Sequence, residues 1–253
     1  MGVDENTMTG TLYGLGVGPG DPELLTLKAH RILKACPVVA YPAPDTGESF
    51  ARSIVADFLS PYQVEAPIVV PMRTERFPAA EVYDKAGDEI AAHLDAGRDV
   101  AVLCEGDPFF YGSFMYVFER LGGRYPTEIV PGVSSIMASA AAAKRPLAAR
   151  NDVLTVLPGP LDDDALQARI TMSDAVAIMK VGRHLPRIRA LIGRLGLTGA
   201  AAYCERISLG EEKVVPLESL AAETAPYFSM ILIYRGGEEW IRALPAGGAS
   251  DAA

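Results

Sequence analysis

The chain has 253 residues, of which 49% are hydrophobic and 22% are charged. At roughly 100 to 200 residues per domain this length predicts one large domain or two modest ones, and the hydrophobic content excludes a disordered chain. The 23 Lys and Arg residues against 32 Asp and Glu residues give a net charge of −9, which argues against unspecific binding to nucleic acid or to an anionic membrane surface.

Short apolar runs alternate with helical patterns along the first half of the chain, as is typical of α/β domains. Asp21 and Pro22 are suited to begin a first helix, in which apolar residues recur with a helical period, and Pro37 ends it. The helices predicted after it cover residues 79–96 and 113–121. The strands predicted in this half are Leu12–Val17, Val38–Tyr41, Ile68–Val70, Val100–Cys104 and Ile129–Val130.

The second half repeats the α/β pattern after Pro131. It begins with an alanine-rich helix predicted over residues 134–144. The strands predicted after this helix are Val153–Leu157, Ala175–Met179, Ala200–Cys204 and Met230–Tyr234. No Ser/Gly-rich linker separates the halves, so we predict two α/β lobes, residues 11–125 and 126–244, with a ligand cleft between them.

The loop after the first strand reads GLGVGPGDPELLT and is rich in glycine. Its alternating glycines would let the backbone turn sharply and approach a ligand closely. The dinucleotide fingerprint G-x-G-x-x-G fails, because Pro19 or Asp21 stands at the third glycine, and no Walker A motif is present. Taken alone, the loop is either part of a ligand site or a tight turn without a ligand.

Two further loops follow predicted strands. In CEGDPFFYGS, the carboxylate of Asp107 could accept hydrogen bonds from a ligand, or it could cap the following helix. In VPGVSS, Ser134 and Ser135 either cap the alanine-rich helix or bind a ligand. Both alternatives stay open for each loop.

The cysteines and histidines do not indicate a metal site. Cys36, Cys104 and Cys204 lie in or at the ends of apolar runs without a C-x-x-C pair, so we expect buried thiols. The three histidines are scattered, and no protein-bound metal is predicted. The N-terminal residues lack the pattern of a signal peptide and no run of 18 apolar residues occurs, so we expect a cytoplasmic protein that does not enter a membrane.

Four segments in order, GLGVGPGDPELLTLKA, EGDPFFYGSF, VPGVSSIMASAAA and AIMKVG, resemble the tetrapyrrole methylase family. The resemblance extends over almost the whole chain and implies a methyltransferase of two α/β lobes that uses S-adenosylmethionine. Within the family, LYGLGVGPGDPELLTLKAHRIL, VVAYP, GDPFFYGSFMY and YFSMILIY are most similar to the precorrin-2 carbon-20 methyltransferases of cobalamin synthesis. Uroporphyrinogen methylases are less similar, because their GDP loop typically continues into Phe, Gly and Arg where this chain has Tyr111, Gly112 and Ser113.

The resemblance also implies which residues bind the cofactor. Gly106 and Asp107 would hold its methionine portion, Phe110 would pack on it, and the segments around Met179 and Glu205 would surround adenine and ribose. The full set implied for the cofactor is Pro19, Gly106, Asp107, Phe110, Ser134, Ser135, Met179, Glu205, Ser229 and Met230. Acidic loops suit this cofactor better than NAD, since it carries a sulfonium and an ammonium group but no phosphate.

The implied reaction is methylation of precorrin-2 at carbon 20 to give precorrin-3A and S-adenosylhomocysteine, and the implied oligomer is a homodimer. A base would remove the last proton from the ring carbon, and its candidates are Asp107, Tyr111 and Glu105. The acidic substrate would need cations, each of which could equally be a solvated surface charge. The candidate cations are Arg73, Arg76, Arg150 and Lys180, with Lys144, Arg145 and Arg183 nearby in the sequence.

Other functions remain open at this point. The nearest is another tetrapyrrole methylase, acting on a cobalt-containing ring or on a different ring carbon, because the cofactor motifs do not identify the acceptor. An NAD-dependent oxidoreductase is a more distant alternative, which the broken fingerprint disfavours. A binding module without catalysis is more distant still.

Overall fold

The computed structural model describes residues 9–70 and 79–246. The chain divides into two compact units, residues 1–134 and residues 135–253. Arg73 and Arg76, two of the residues predicted to bind substrate, lie outside the described residues. None of the described helices is long and apolar enough to span a membrane.

The first unit is built on a five-stranded parallel sheet with the strand order β3-β2-β4-β1-β5. Its strands are β1 (Leu12–Gly16), β2 (Val38–Pro44), β3 (Val64–Val70), β4 (Val100–Cys104) and β5 (Thr127–Val130). Its helices are α1 (Leu27–Ala35), α2 (Phe50–Ile54), α3 (Ala79–Asp95) and α4 (Phe114–Leu121). Parallel neighbours require crossover connections, and the helical patterns between the strands supply them.

Both faces of this sheet are buried along β1, β2 and β4, because apolar residues occupy successive positions of these strands. Along β4, Val100 and Val102 belong to one core cluster, while Ala101 and Leu103 belong to another on the opposite face. Helices α3 and α4 pack in the first cluster, and α1 and α2 in the second. Strands that are buried on both faces read as continuous apolar runs, which is why they could be predicted.

The first predicted helix proves to be two separate elements. Asp21 caps a single 3-10 turn, Pro22–Leu24, by accepting a hydrogen bond from the backbone amide of Glu23. Leu25 then has an extended conformation, and Thr26 caps α1 with its side-chain oxygen. The prediction of one continuous helix was therefore wrong, because two caps in succession interrupt it. The prediction that it ends before Pro37 is confirmed.

The second unit contains a mixed five-stranded sheet with the order β6-β7-β10-β8-β9. Its strands are β6 (Leu154–Pro158), β7 (Ala175–Met179), β8 (Ala201–Glu205), β9 (Lys213–Pro216) and β10 (Ser229–Tyr234). Its helices are α5 (Ser135–Ala142), α6 (Asp163–Thr171), α7 (Leu185–Arg194) and α8 (Glu239–Ala243). β6 and β7 are parallel, whereas β10 runs antiparallel to β7 and to β8. The short strand β9 was not predicted.

The α/β class predicted for both halves is confirmed. The predicted lobes, residues 11–125 and 126–244, differ from the two compact units in the segment 126–134. This segment belongs to the first unit because β5 pairs in parallel with β1. All three cysteines are buried, and burial raises their thiol pKa, to about 12 for Cys36 and Cys204.

Candidate functional site

Three loops of the first unit begin at the same edge of its sheet. β1 pairs in parallel with β4 on one side and with β5 on the other, so the residues after Gly16, Cys104 and Val130 leave the sheet together. Ligands of open α/β sheets commonly bind at the carboxyl ends of the strands. The strand order therefore brings the three motifs of the sequence to one place.

Backbone hydrogen bonds join the first two of these loops. The amide of Gly18 donates to the carbonyl of Gly106 at 3.3 Å, and the amide of Gly106 donates back to Gly18 at 2.7 Å. Both residues have positive φ angles, +82° and +64°. Glycine adopts this conformation without strain, whereas other residues rarely do. If Gly106 binds the cofactor, it does so while its backbone amide and carbonyl are hydrogen-bonded to Gly18.

The third loop packs against the other two without any side chain between them. A Cβ atom on Gly132 would lie 2.0 Å from the carbonyl oxygen of Gly106, and one on Gly16 would lie 2.5 Å from the amide nitrogen of Gly132. Only glycine permits this approach of backbone to backbone. The glycines therefore serve loop packing as well as any contact with a ligand.

Asp107 ties the second loop to the third. One carboxylate oxygen accepts a hydrogen bond from the amide of Phe109 at 2.9 Å, and the other accepts one from the amide of Gly132 at 3.1 Å. The side chain is half-buried. A carboxylate has about four acceptor positions, so two remain for a ligand. Asp107 thus holds the loops in place whether or not it also contacts a ligand.

Glu105 and Tyr111, the other candidate bases, have different environments. Burial raises the pKa of the Glu105 carboxyl, and hydrogen bonds from the backbone amides of Glu105 itself and of Ala51 only partly offset this effect. Tyr111 is 44% exposed and has a φ angle of +57°, a strained conformation for a residue other than glycine. A carboxyl with a raised pKa is the better proton acceptor near neutral pH.

The remaining predicted residues of this unit lie along the same loops. Pro19 is buried directly after Gly18, and Phe110 is 37% exposed with its ring edge-on to Tyr111 at 5.2 Å. The Cα atom of Ser134 is 3.9 Å from the position that a Cβ of Gly106 would take. Ser135, by contrast, begins α5 and belongs to the second unit.

The second unit brings its four predicted cofactor residues to one edge of its own sheet. Met179 pairs with Met230 in the register of β7 and β10, and Glu205 pairs with Ser229 in the register of β8 and β10. Residues of this set that lie in different strands are 24 to 51 positions apart in the sequence, so only the strand order brings them together. Ser229 accepts a hydrogen bond from the amide of Gly182 at 3.2 Å, which attaches the turn after β7.

Tyr203 is a polar residue at this edge that the sequence analysis missed. It is fully buried, and its hydroxyl donates a hydrogen bond to Oε2 of Glu205 at 2.6 Å. The phenol also interacts with the side chain of Ser229. Burial is the main cause that raises its pKa, followed by the hydrogen bond to Glu205. The signal was present in the sequence as a Tyr and a Glu two positions apart at the end of a strand.

Two of the cations predicted to bind substrate lie near opposite ends of the strands β7 and β10. Lys180 follows the carboxyl end of β7, next to the predicted cofactor residues. Arg150 forms an ion pair with Glu238 at 2.8 Å. Glu238 follows β10, whose end at Tyr234 pairs with the start of β7 at Ala175. The fold therefore separates Arg150 from Lys180 within this unit.

Arg145 is buried at the same edge as Arg150. Its guanidinium donates to the carbonyl of Ala200 at 3.0 Å and lies 5.9 Å from the ring centroid of Tyr234. Burial lowers its pKa. Among the described residues no group of three or more His, Cys, Asp or Glu side chains could hold a metal ion.

Within each unit, the residues predicted for a cofactor include a carboxylate, together with hydroxyl and backbone groups, and none of them is Lys or Arg. At Gly16 and Gly132 the neighbouring loop leaves no room for a Cβ atom, so these loops are held in a fixed arrangement. Such a donor set fits a ligand that carries positive charge and hydroxyl groups and has no phosphate.

Residues 11–221 match the model of the family described as Tetrapyrrole (Corrin/Porphyrin) Methylases. The cobalamin biosynthesis protein CobIJ of Mycobacterium tuberculosis is 43% identical over 235 residues, which are 90% of this chain and 46% of that protein. The chain thus spans about half the length of that relative. A precorrin-2 C(20)-methyltransferase of a Sinorhizobium species is 40% identical over 88% of this chain and 95% of its own length.

Two further comparisons bear on the ring and on the cofactor. A cobalt-precorrin-2 C(20)-methyltransferase of Salmonella typhimurium is 32% identical over 91% of this chain and 99% of its own length. The crystal structure of uroporphyrin-III C-methyl transferase from Thermus thermophilus, complexed with S-adenyl homocysteine, has a TM-score of 0.64. It is 28% identical and covers 88% of this chain and 97% of that chain.

Proposed function

The chain belongs to the tetrapyrrole (corrin/porphyrin) methylases, and on this basis we propose that it methylates precorrin-2 at carbon 20 in cobalamin biosynthesis. The methyl donor in this proposal is S-adenosylmethionine, and the products are precorrin-3A and S-adenosylhomocysteine. The observation that carries the proposal is the convergence, within each unit, of the residues predicted for the cofactor on one edge of the sheet. Similarity to the Sinorhizobium enzyme over nearly its whole length supports the choice of ring and carbon.

When bound, S-adenosylmethionine would supply an electrophilic methyl group on a sulfonium centre. Gly106 and Asp107 would hold its methionine portion and Phe110 would pack on it, while Pro19 and Ser134 would line the same loops. Ser135, Met179, Glu205, Ser229 and Met230 would contribute from the second unit. The carboxylates of this set support a cofactor that carries positive charge.

The protein's own part in the chemistry is to position the groups and to remove a proton. Methylation of a ring carbon leaves a proton on that carbon, and Glu105 is the preferred acceptor because burial raises the pKa of its carboxyl. Asp107 is better suited to holding the loops, since both of its oxygens already accept backbone hydrogen bonds. Tyr111 remains the third candidate. Holding the reactants in line in a dry site would account for most of the acceleration.

The substrate of this reaction carries acidic side chains, which cations of the protein would bind. Lys180 is the preferred described candidate, since it follows the strand that ends at Met179. Arg150 would first have to leave its ion pair with Glu238. Arg73 and Arg76 keep the role that the sequence predicts for them. Binding of the substrate is expected to weaken with salt more than binding of the cofactor does.

A homodimer and a cytoplasmic location complete the proposal. The dimer is supported by the family resemblance and by an exposed apolar surface in the first unit, on α4 and the loop before it. The members of this surface are Phe109, Met115, Tyr116 and Phe118. Contiguous exposed apolar surfaces commonly mark protein interfaces. Light scattering at several concentrations tests the dimer.

The deciding experiment incubates the protein with S-adenosylmethionine labelled in its methyl group and with precorrin-2 or cobalt-precorrin-2 in parallel. Label at carbon 20 of the metal-free ring is the expected result. Faster labelling of the cobalt ring would establish the second candidate, which the Salmonella typhimurium relative favours. Label at another carbon would overturn the choice of position, and binding of a nicotinamide nucleotide without methyl transfer would overturn the proposal altogether.

A further inference from the structure

Glu205 is the one carboxylate of the second unit among the residues proposed for the cofactor, and it lies at the end of β8. One of its oxygens, Oε2, accepts the hydrogen bond from Tyr203. Among the described residues no group donates a hydrogen bond to Oε1. A carboxylate that is fixed at one oxygen and open at the other is suited to accept a hydrogen bond from a hydroxyl group of a ligand.

Tyr203 is held firmly enough to fix this carboxylate. Residues two positions apart in a strand share a face of the sheet, so the two side chains lie side by side. The Tyr203 ring is fully buried in a core cluster that includes Leu217 and Ile231. A ring packed in this way has few rotamers available, and its hydroxyl stays in one position. The half-buried Glu205 side chain would have several rotamers without this contact.

We propose that Tyr203 is a positioning residue that orients Glu205 toward a ribose hydroxyl of the cofactor. The inference depends on the proposed function, because it assumes that a nucleoside cofactor occupies this edge of the sheet. Without the phenol hydroxyl, Glu205 would have to lose its rotamer freedom each time the ligand binds. Fixing one side chain in advance corresponds to about a three- to tenfold gain in affinity.

The second sheet offers a matched control for this hydrogen bond. Tyr234 is also buried, and its hydroxyl donates to the carboxylate of Asp152 at 2.7 Å. It lies at the opposite edge of the sheet, because Tyr234 pairs with Ala175 and not with Met179. Tyr203→Phe and Tyr234→Phe each keep the ring and remove one hydroxyl bound to a carboxylate. They are expected to lower the melting temperature to a similar extent.

The experiment measures binding to the whole 253-residue chain by calorimetry, with two probes. These are S-adenosylhomocysteine and its analogue lacking the ribose hydroxyls. Tyr203→Phe is expected to weaken binding of the complete ligand by about three- to tenfold and to leave the analogue unchanged. Tyr234→Phe should leave both affinities unchanged. In a Glu205→Gln background, Tyr203→Phe should have little further effect, since the two residues act as one unit.

Each other outcome has a distinct meaning. If Tyr203→Phe binds both probes as the wild type does while Glu205→Gln weakens the complete ligand, the positioning role is wrong and the proposed function is unaffected. If Tyr203→Phe weakens both probes equally, the hydroxyl only stabilises the fold, and the inference is again overturned. If the wild-type protein binds neither probe, the proposed function itself fails.

Discussion

The two hydrogen bonds of Asp107 allow its structural role to be separated from a role in catalysis. Its carboxylate accepts one backbone amide within its own loop, from Phe109, and one from Gly132 in the neighbouring loop. Asp107→Ala removes both acceptors. Asp107→Asn keeps one oxygen, but its amide group cannot accept a hydrogen bond, so one backbone amide loses its partner.

The expected cost follows from these contacts. A hydrogen bond to a charged group contributes about 1.5 to 3 kcal/mol, and the half-buried position favours the lower value. We expect the free energy of unfolding of the first unit to fall by about 3 kcal/mol in Asp107→Ala and by about 1.5 kcal/mol in Asp107→Asn. Asp21→Asn is the matched control, because Asp21 makes one local bond, to Glu23, and asparagine caps a turn nearly as well. It should cost less than about 0.5 kcal/mol.

Urea unfolding measures stability, and calorimetry with S-adenosylhomocysteine measures affinity in the same variants. If Asp107 holds the loops in position, the loss of affinity should follow the loss of stability, and Asp107→Ala should bind about tenfold more weakly. Equal stability of Asp107→Asn and Asp21→Asn would refute the reasoning. So would an Asp107→Asn protein with wild-type stability and affinity but no turnover, since that result would identify Asp107 as the base.

Three further predictions concern the first unit. Glu105→Gln should slow formation of the deprotonated product about 100-fold without changing cofactor affinity, and the wild-type rate of this proton loss should rise with pH through the raised pKa of the carboxyl. Single-turnover rates of product formation at several pH values check both statements. Arg52 lowers the pKa of Glu65 to about 2, so this ion pair stabilises the folded protein above the pKa of an unfolded Glu and loses its contribution between about pH 5 and pH 2. After allowance for solvent screening, Glu65→Gln should lower the free energy of unfolding by about 1 kcal/mol at neutral pH and flatten the acid unfolding curve. Gly132→Ala should lower the melting temperature by several degrees, whereas Gly123→Ala, whose Cβ would meet nothing within 4 Å, should leave it nearly unchanged.

The strands were predicted better than the helices, for a physical reason. Ala175–Met179 and Val100–Cys104 are correct to the residue, because a strand buried on both faces must be a continuous apolar run. The first helix was predicted wrongly, since Asp21 and Thr26 are both good caps and only the extended conformation of Leu25 separates the two elements. The strand β9 was missed because none of its four residues is buried, so it lacks the continuous apolar run of a buried strand.

The positions of the predicted substrate cations in the fold could not be derived from the sequence. Lys180 and Arg150 were grouped because both lie in predicted loops near the motifs, yet they lie near opposite ends of the strands of one sheet. A local pattern identifies a charge in a loop, but the edge at which that loop emerges depends on strand direction. Arg145 shows the same limit, because its burial results from packing against residues distant in sequence.

The sequence by itself determined the α/β class, the order of most elements, the three loops of the first unit and the resemblance to the family. These features depend on local patterns of polarity, turn residues and ordered motifs, which the chain displays without being folded. Only the tertiary structure decided that β1 lies between β4 and β5, that Asp107 joins two loops, and that Tyr203 holds Glu205 at an edge shared with Met230. Such contacts are made between residues far apart in the chain. Strand order and register determine which of these residues meet, and no local sequence pattern contains either of them.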